Sequence, residues 1–160
     1  MSSKKRVLFV CTGNTCRSPM AEGLFTKLVA DRKDFSVASA GVSAYPGDTA
    51  NPETELILKK RGASLKNFTS QPVTSELLDE ATHVFAMTSS HLATLEARFP
   101  EQSEKYHLAC DFVELPGRGI GADVPDPIGM GRRAYEETAA ILDAALPMIL
   151  SYIDQTWKDD

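Results

Sequence analysis

Residues 6–19 read Arg6-Val7-Leu8-Phe9-Val10-Cys11-Thr12-Gly13-Asn14-Thr15-Cys16-Arg17-Ser18-Pro19, a short apolar run followed by a cysteine and an arginine with five residues between them. The apolar run has the length and β-branched character of a buried parallel strand. Ser18-Pro19-Met20-Ala21-Glu22 reads as a helix start, with Ser18 as the cap and Pro19 at the first helical position. The intervening loop therefore bridges the end of a strand and the N-terminus of a helix, where backbone N–H groups converge and the helix dipole adds about half a positive charge. Such a loop holds an anion without dedicated side chains, which makes Thr12, Gly13, Asn14, Thr15, Cys16 and Ser18 the candidate phosphate cradle. Gly13 permits a backbone conformation with positive φ, and Asn14 either tolerates the same conformation or ties the loop through its side chain.

Within that field Cys11 is placed to be a nucleophile, because a helix N-terminus and a neighbouring arginine both favour thiolate over thiol. The planar, always-charged guanidinium of Arg17 can hold two equatorial oxygens of a transferring phosphoryl group at once, which a lysine could not reproduce. Ser18, beside the loop, can donate a hydrogen bond to the sulfur. Thiolate attack at phosphorus expels a poor leaving group, so an acid is needed nearby, and a base for the water that later frees the cysteine. Residues 116–127 form a segment rich in glycine and proline whose only carboxylates are Asp123 and Asp126.

Composition is that of one globular domain spanning residues 1–160, with 42% hydrophobic and 24% charged residues. The longest apolar stretches are too short to span a bilayer, and the N-terminus leads only into a strand-length run, so the expectation is a cytoplasmic protein without a membrane segment. Three cysteines with no framework spacing fit a reducing compartment. A net charge of −5 argues against nucleic acid as a partner.

The pattern along the chain alternates strands and helices. Strands are expected at residues 7–10, 35–39, 83–87 and 106–109, and helices at 19–30, 52–61, 75–80, 90–99 and about 131–153. Alternation of this kind implies βαβ units and a parallel sheet covered on both faces, that is, a doubly wound α/β domain. Pro147 falls inside the last helix and is expected to kink or break it. In open sheets of this class ligands sit at the carboxyl ends of the strands, where Cys11 falls.

The string Val10-Cys11-x-Gly13-Asn14-x-Cys16-Arg17-Ser18-Pro19 resembles the signature of the low-molecular-weight protein-tyrosine phosphatases. The likeness continues through Met20-Ala21-Glu22, Ser39-Ala40-Gly41, Pro72-Val73-Thr74, Ala86-Met87 and Asp126-Pro127, and so covers essentially the whole chain. It implies the fold of that family, a four-stranded parallel sheet in the order 2-1-3-4 with helices on both faces, which patterning alone does not reach. It also implies a protein phosphatase that needs no cofactor, works through a cysteinyl-phosphate intermediate on phosphorylated protein substrates, and releases inorganic phosphate. Asp126 then matches the family's general acid, Asp123 being structural or solvated, and Asn14, Ser18 and Ser39 support the loop. The resemblance further implies that Cys11 and Cys16 can close a reversible disulfide under oxidation. One departure is Phe68, where family members commonly carry a histidine that braces the loop through Asn14.

Substrate choice is expected to turn on Thr12, because tyrosine-directed members usually place a bulky aliphatic there, whereas the bacterial protein-arginine phosphatases resemble this chain in carrying Cys-Thr-Gly-Asn-Thr-Cys-Arg-Ser-Pro. Ile128 points the same way, since tyrosine-specific members often follow Asp-Pro with aromatics. Tyr45 falls where a pocket aromatic is common and suits either a phenyl ring or a guanidinium. The expectation is therefore phosphoarginine, with phosphotyrosine as the alternative. An arsenate reductase would need two further neighbouring cysteines, and only Cys110 lies outside the loop. A catalytically dead phospho-residue binder is disfavoured by the joint presence of Cys11, Arg17, Ser18 and Asp126. No metal site is expected, because His83, His91 and His107 lack ligand spacing. Gly117-Arg118-Gly119-Ile120-Gly121 reads as a flexible loop rather than a dinucleotide fingerprint.

Overall fold

The run that precedes Cys11 becomes an interior strand, and its sequence shows why: side chains alternate across a strand, and here both alternating sets are apolar. In the computed structural model, which describes residues 4–157, β1 (Lys5–Cys11) lies between β2 (Phe35–Gly41) and β3 (His83–Ala86), and β4 (Tyr106–Leu108) closes the sheet. All pairings are parallel and the order is β2-β1-β3-β4. Val7, Phe9 and Cys11 point into one core with α1 (Arg17–Leu28), α2 (Pro52–Lys60) and α5 (Arg132–Thr156). Leu8 and Val10 point into the other, with α3 (Ser75–Glu80) and α4 (Ser89–Arg98). The first core centres on Phe9, whose ring packs 5.6 Å from Phe25 and 5.9 Å from Phe85. The domain is thus doubly wound, with the sequence-expected elements present and their ends within three residues of expectation.

Three local expectations need correction. First, α1 begins at Arg17 and Ser18 does not cap it; the hydroxyl is drawn instead to Cys11, so the tertiary bond wins over the local one. Second, α5 runs through Pro147 without a break. Leu142, Ala145, Leu146, Ile149 and Ile153, on both sides of the proline, bury one continuous face, and this packing outweighs one lost backbone bond. Third, the glycine-rich segment is not loop throughout. Two short antiparallel strands, β5 (Glu114–Leu115) and β6 (Gly119–Ile120), pair across a tight turn whose Gly117 and Gly119 both take φ of 75°, a conformation closed to most other residues.

The open end of the sheet opposite the loop is tied by charge. Lys5 lies 2.6 Å from Asp34, and Arg32 reaches Asp34 at 3.0 Å and Asp154 at 2.8 Å, joining β1, the start of β2 and the end of α5. Hydrogen bonds from Arg32 and then Lys5 hold the Asp34 carboxyl well below the usual carboxylate range. A depressed acid contributes stability that is present above its unfolded value of about 3.9 and is lost as pH falls from there. The Asp34→Asn variant is therefore expected to lower Tm at pH 7 by about 2 to 4 °C and to flatten the acid side of the stability curve below about pH 4, read by thermal melts across pH.

Candidate active site

β1 ends at Cys11 and α1 starts at Arg17, so residues 12–16 turn over the carboxyl end of the sheet. Asn14 makes the turn, with a φ of 58°. Gly13, which could have taken a positive φ, does not; a Cβ there would meet only Thr15 Oγ1 at 3.9 Å, so the protein itself sets no steric bar at this position. The close approach comes instead from Gly41 at the end of β2. A Cβ at Gly41 would fall 2.4 Å from the Thr12 carbonyl oxygen and 3.0 Å from the Asn14 nitrogen, both backbone atoms. β2 can support the loop from below only because that residue has no side chain.

Side-chain hydrogen bonds then fix the loop. Asn14 donates from Nδ2 to Ser18 Oγ at 2.8 Å and to Ser39 Oγ at 2.9 Å, and its Oδ1 accepts from the Gln71 N–H at 3.0 Å. Ser39 in turn donates to Glu22 Oε1 at 2.7 Å, and burial pushes the Glu22 carboxyl up. Because Ser18 Oγ accepts from Asn14, its own hydrogen is free for Cys11 Sγ, 2.8 Å away; the other candidate acceptor, the Ala40 carbonyl, is at 3.5 Å. Phe68 is only half-buried, and the bracing of Asn14 falls to Gln71, which sequence reasoning missed.

Arg17 is buried and anchored. Its Nη1 donates to the Val124 carbonyl at 3.0 Å, while Nη2 stands 3.7 Å from Asp126 Oδ2. Val124 also donates its N–H to the Met87 carbonyl at 2.8 Å, which ties the segment after β6 to the end of β3. Asp123 accepts from the Ser89 N–H at 2.8 Å at the start of α4, a structural task. Asp126 accepts from the Ile128 N–H at 3.1 Å and keeps its side chain 49% exposed, so it faces both Arg17 and water. Arg17 and Asp126 are thus neighbours, a buried cation beside a half-exposed carboxyl, and the buried sulfur of Cys11 opens the loop that Arg17 closes.

The sulfurs differ in their surroundings. Cys11, Cys16 and Cys110 are all free thiols. Cys16 Sγ turns to Tyr135 Oη at 3.3 Å, and burial raises its thiol, with Tyr135 opposing. Cys110 lies in the core, pushed up to about 11 by burial. Tyr45, on the segment after β2, is 79% exposed, and Ile128 is 56% exposed, so neither ring nor aliphatic chain is committed to packing. Of residues 12–16, Asn14 and Cys16 are buried, and the side chains that reach solvent are those of Thr12 and Thr15. His91, which the sequence placed only as a histidine without ligand spacing, proves to be part of the site: its Nε2 lies 2.7 Å from Thr12 Oγ1. Burial first and Arg17 second pull its ring down to about 4, so it is neutral near pH 7.

Comparison with known proteins agrees with this geometry. Residues 6–159 match the family described as low molecular weight phosphotyrosine protein phosphatase. The chain is 39% identical over 142 residues to a protein-arginine-phosphatase of Geobacillus stearothermophilus, an alignment covering 86% of this chain and 91% of that one. It is 32% identical over 155 residues to the low molecular weight protein-tyrosine-phosphatase YfkJ of Bacillus subtilis, covering 93% and 96%. Its fold superposes with a TM-score of 0.84 on a mutant of the YwlE arginine phosphatase carrying a phosphorylated active-site serine, at 33% identity and with 94% and 97% of the two chains covered.

The Gly41 contact gives a direct check on the loop. In Gly41→Ala the added methyl must displace the Thr12 and Asn14 backbone, and inorganic phosphate is expected to bind about 100-fold more weakly by calorimetric titration, with far-UV circular dichroism unchanged.

Proposed function

The chain belongs to the low molecular weight phosphotyrosine protein phosphatase family and is a cysteine-dependent protein phosphatase; from that premise we propose that Cys11 is its nucleophile, Arg17 its phosphoryl clamp, Asp126 its general acid and base, and phosphoarginine its preferred substrate residue. The Cys11 thiolate attacks phosphorus in line, the bond from phosphorus to the side-chain nitrogen breaks, and Asp126 gives its proton to that nitrogen. The loop N–H groups and Arg17 carry the charge on the equatorial oxygens. Water then attacks the cysteinyl phosphate, Asp126 takes a proton from it, and the sulfur leaves as a thiolate with the Ser18 hydroxyl hydrogen-bonded to it. Inorganic phosphate is the product. Cys11 and Cys16 are the candidate redox pair, with Cys16 resting on Tyr135 in the reduced protein.

One observation carries the substrate choice: the two loop residues whose side chains reach solvent, Thr12 and Thr15, both carry a hydroxyl, and neither supplies a bulky aliphatic wall. A guanidinium is rich in N–H donors and lacks the greasy ring that an aliphatic wall would embrace. Thr12 and Thr15 can address those donors. Similarity to chains named protein-arginine-phosphatase supports the same choice. Phosphotyrosine is the second reading, supported by similarity to a chain named low molecular weight protein-tyrosine-phosphatase; the exposed ring of Tyr45 suits either substrate. An arsenate-reductase relay lacks its cysteines, because Cys110 is buried in the core and has no neighbouring cysteine in the sequence.

Matched phosphoarginine and phosphotyrosine peptides test the reading. Wild type is expected to favour phosphoarginine in kcat/KM, and Thr12→Ile, Thr15→Ile and the double variant are expected to shift the ratio toward phosphotyrosine by about tenfold or more. Equal turnover of both peptides by wild type, or a ratio that none of the variants moves, would overturn the substrate assignment.

A further inference from the structure

Thr12 is the first residue after the nucleophile, and its hydroxyl is not free to rotate. His91 holds it from the first turn of α4, a separate element on the other face of the sheet. The imidazole is buried and clamped at both ring nitrogens: Nε2 lies 2.7 Å from Thr12 Oγ1, and Nδ1 lies 3.1 Å from Thr88 Oγ1, the residue that caps α4. A neutral imidazole carries one N–H, so one nitrogen donates and the other accepts. Two arrangements satisfy both contacts: Thr12 O–H donates to Nε2 while Nδ1–H donates to Thr88, or Nε2–H donates to Thr12 while Thr88 O–H donates to Nδ1. Thr88 Oγ1 also accepts the His91 backbone N–H at 3.2 Å, so the capping bond fixes the ring against α4 in either case.

We propose that His91 sets the polarity of the Thr12 hydroxyl: by taking its hydrogen at Nε2, it leaves the Thr12 oxygen as a fixed acceptor at the mouth of the loop, facing the N–H groups of a guanidinium-bearing substrate. This role presupposes the phosphoarginine reading above and deepens it. An unheld threonine could turn its hydrogen outward and meet a guanidinium donor to donor. With the hydrogen committed to His91, that arrangement is closed off. A phosphotyrosine side chain brings no N–H to this position, so the held oxygen serves it no better than a rotating one. His91 touches neither the sulfur nor the phosphoryl group in this arrangement; it acts through Thr12, as a positioning residue for selectivity.

The measured quantity is the ratio of kcat/KM for matched phosphoarginine and phosphotyrosine peptides. In His91→Phe, which fills the space without an acceptor, the ratio is expected to fall about tenfold. In His91→Gln, whose amide oxygen can still accept from Thr12, much of it is expected to return. Thr12→Val, which keeps the shape and removes the hydroxyl, is expected to lower the ratio as far as His91→Phe, and the double variant no further. Thr12→Val carries the comparison even if phenylalanine at 91 prevents folding. A ratio that stays within twofold of wild type in His91→Phe and in Thr12→Val, while wild type still prefers phosphoarginine, would overturn the role of His91 and leave the substrate reading standing. A wild type with no preference for phosphoarginine would instead defeat that reading, and this role with it.

Discussion

The structure depends on one amide. Asn14 sits at a positive φ and spends both ends of its side chain holding three separate elements: Ser18 in α1, Ser39 in β2 and the Gln71 backbone beyond them. A loop of five residues between a strand and a helix has many conformations, and the converging N–H groups that bind an anion belong to few of them. Each buried hydrogen bond left unmade here would cost about 1 to 3 kcal/mol, so the three together hold the backbone in the binding geometry before any substrate arrives. The same amide also orients Ser18. By occupying that oxygen as donor, it directs the serine hydrogen to Cys11.

Around this fixed point the site divides its tasks by hydration. Cys11 and Arg17 are buried, which strengthens every electrostatic contact they make and keeps water from competing for the sulfur. Asp126 stands half in solvent, where the proton donor and acceptor proposed above can exchange with water. The two halves are joined through Val124, whose carbonyl holds Arg17 and whose N–H is bonded to the end of β3. The sheet thus positions the acid segment as well as the nucleophile, and both lie at the carboxyl ends of the parallel strands, where an open α/β sheet places its ligand.

Much of this could be read from residues alone, and the reasons are physical. Val7 to Val10 announced a strand buried on both faces, and Cys11, Arg17 and the Asp-Pro dipeptide carry their chemistry in their residue types. Elements, sheet class and the meeting of nucleophile and cation followed from local pattern. What escaped depended on contacts distant in sequence. Ser18 looked like a helix cap because local rules are blind to a sulfur seven residues back that competes for its hydroxyl. Pro147 looked like a break because the apolar face that carries α5 past it is visible only once α1 and the sheet are in place. The positive φ of the loop falls on Asn14, and the close backbone approach beneath it depends on Gly41, a residue on another strand that no local pattern singles out. His91 stood 79 positions from Thr12 and matched no spacing rule, so only the fold could bring the two together.

The central claim is that one sulfur, Cys11, forms and breaks a bond to phosphorus in each turnover. Rapid quenching during hydrolysis of a phosphorylated peptide, followed by mass spectrometry of the digested protein, reads it directly. The expected result is a phosphoryl mass on the fragment bearing Cys11, absent in Cys11→Ala together with turnover. A phosphoryl group on any other residue, or turnover that survives in Cys11→Ala, would contradict it.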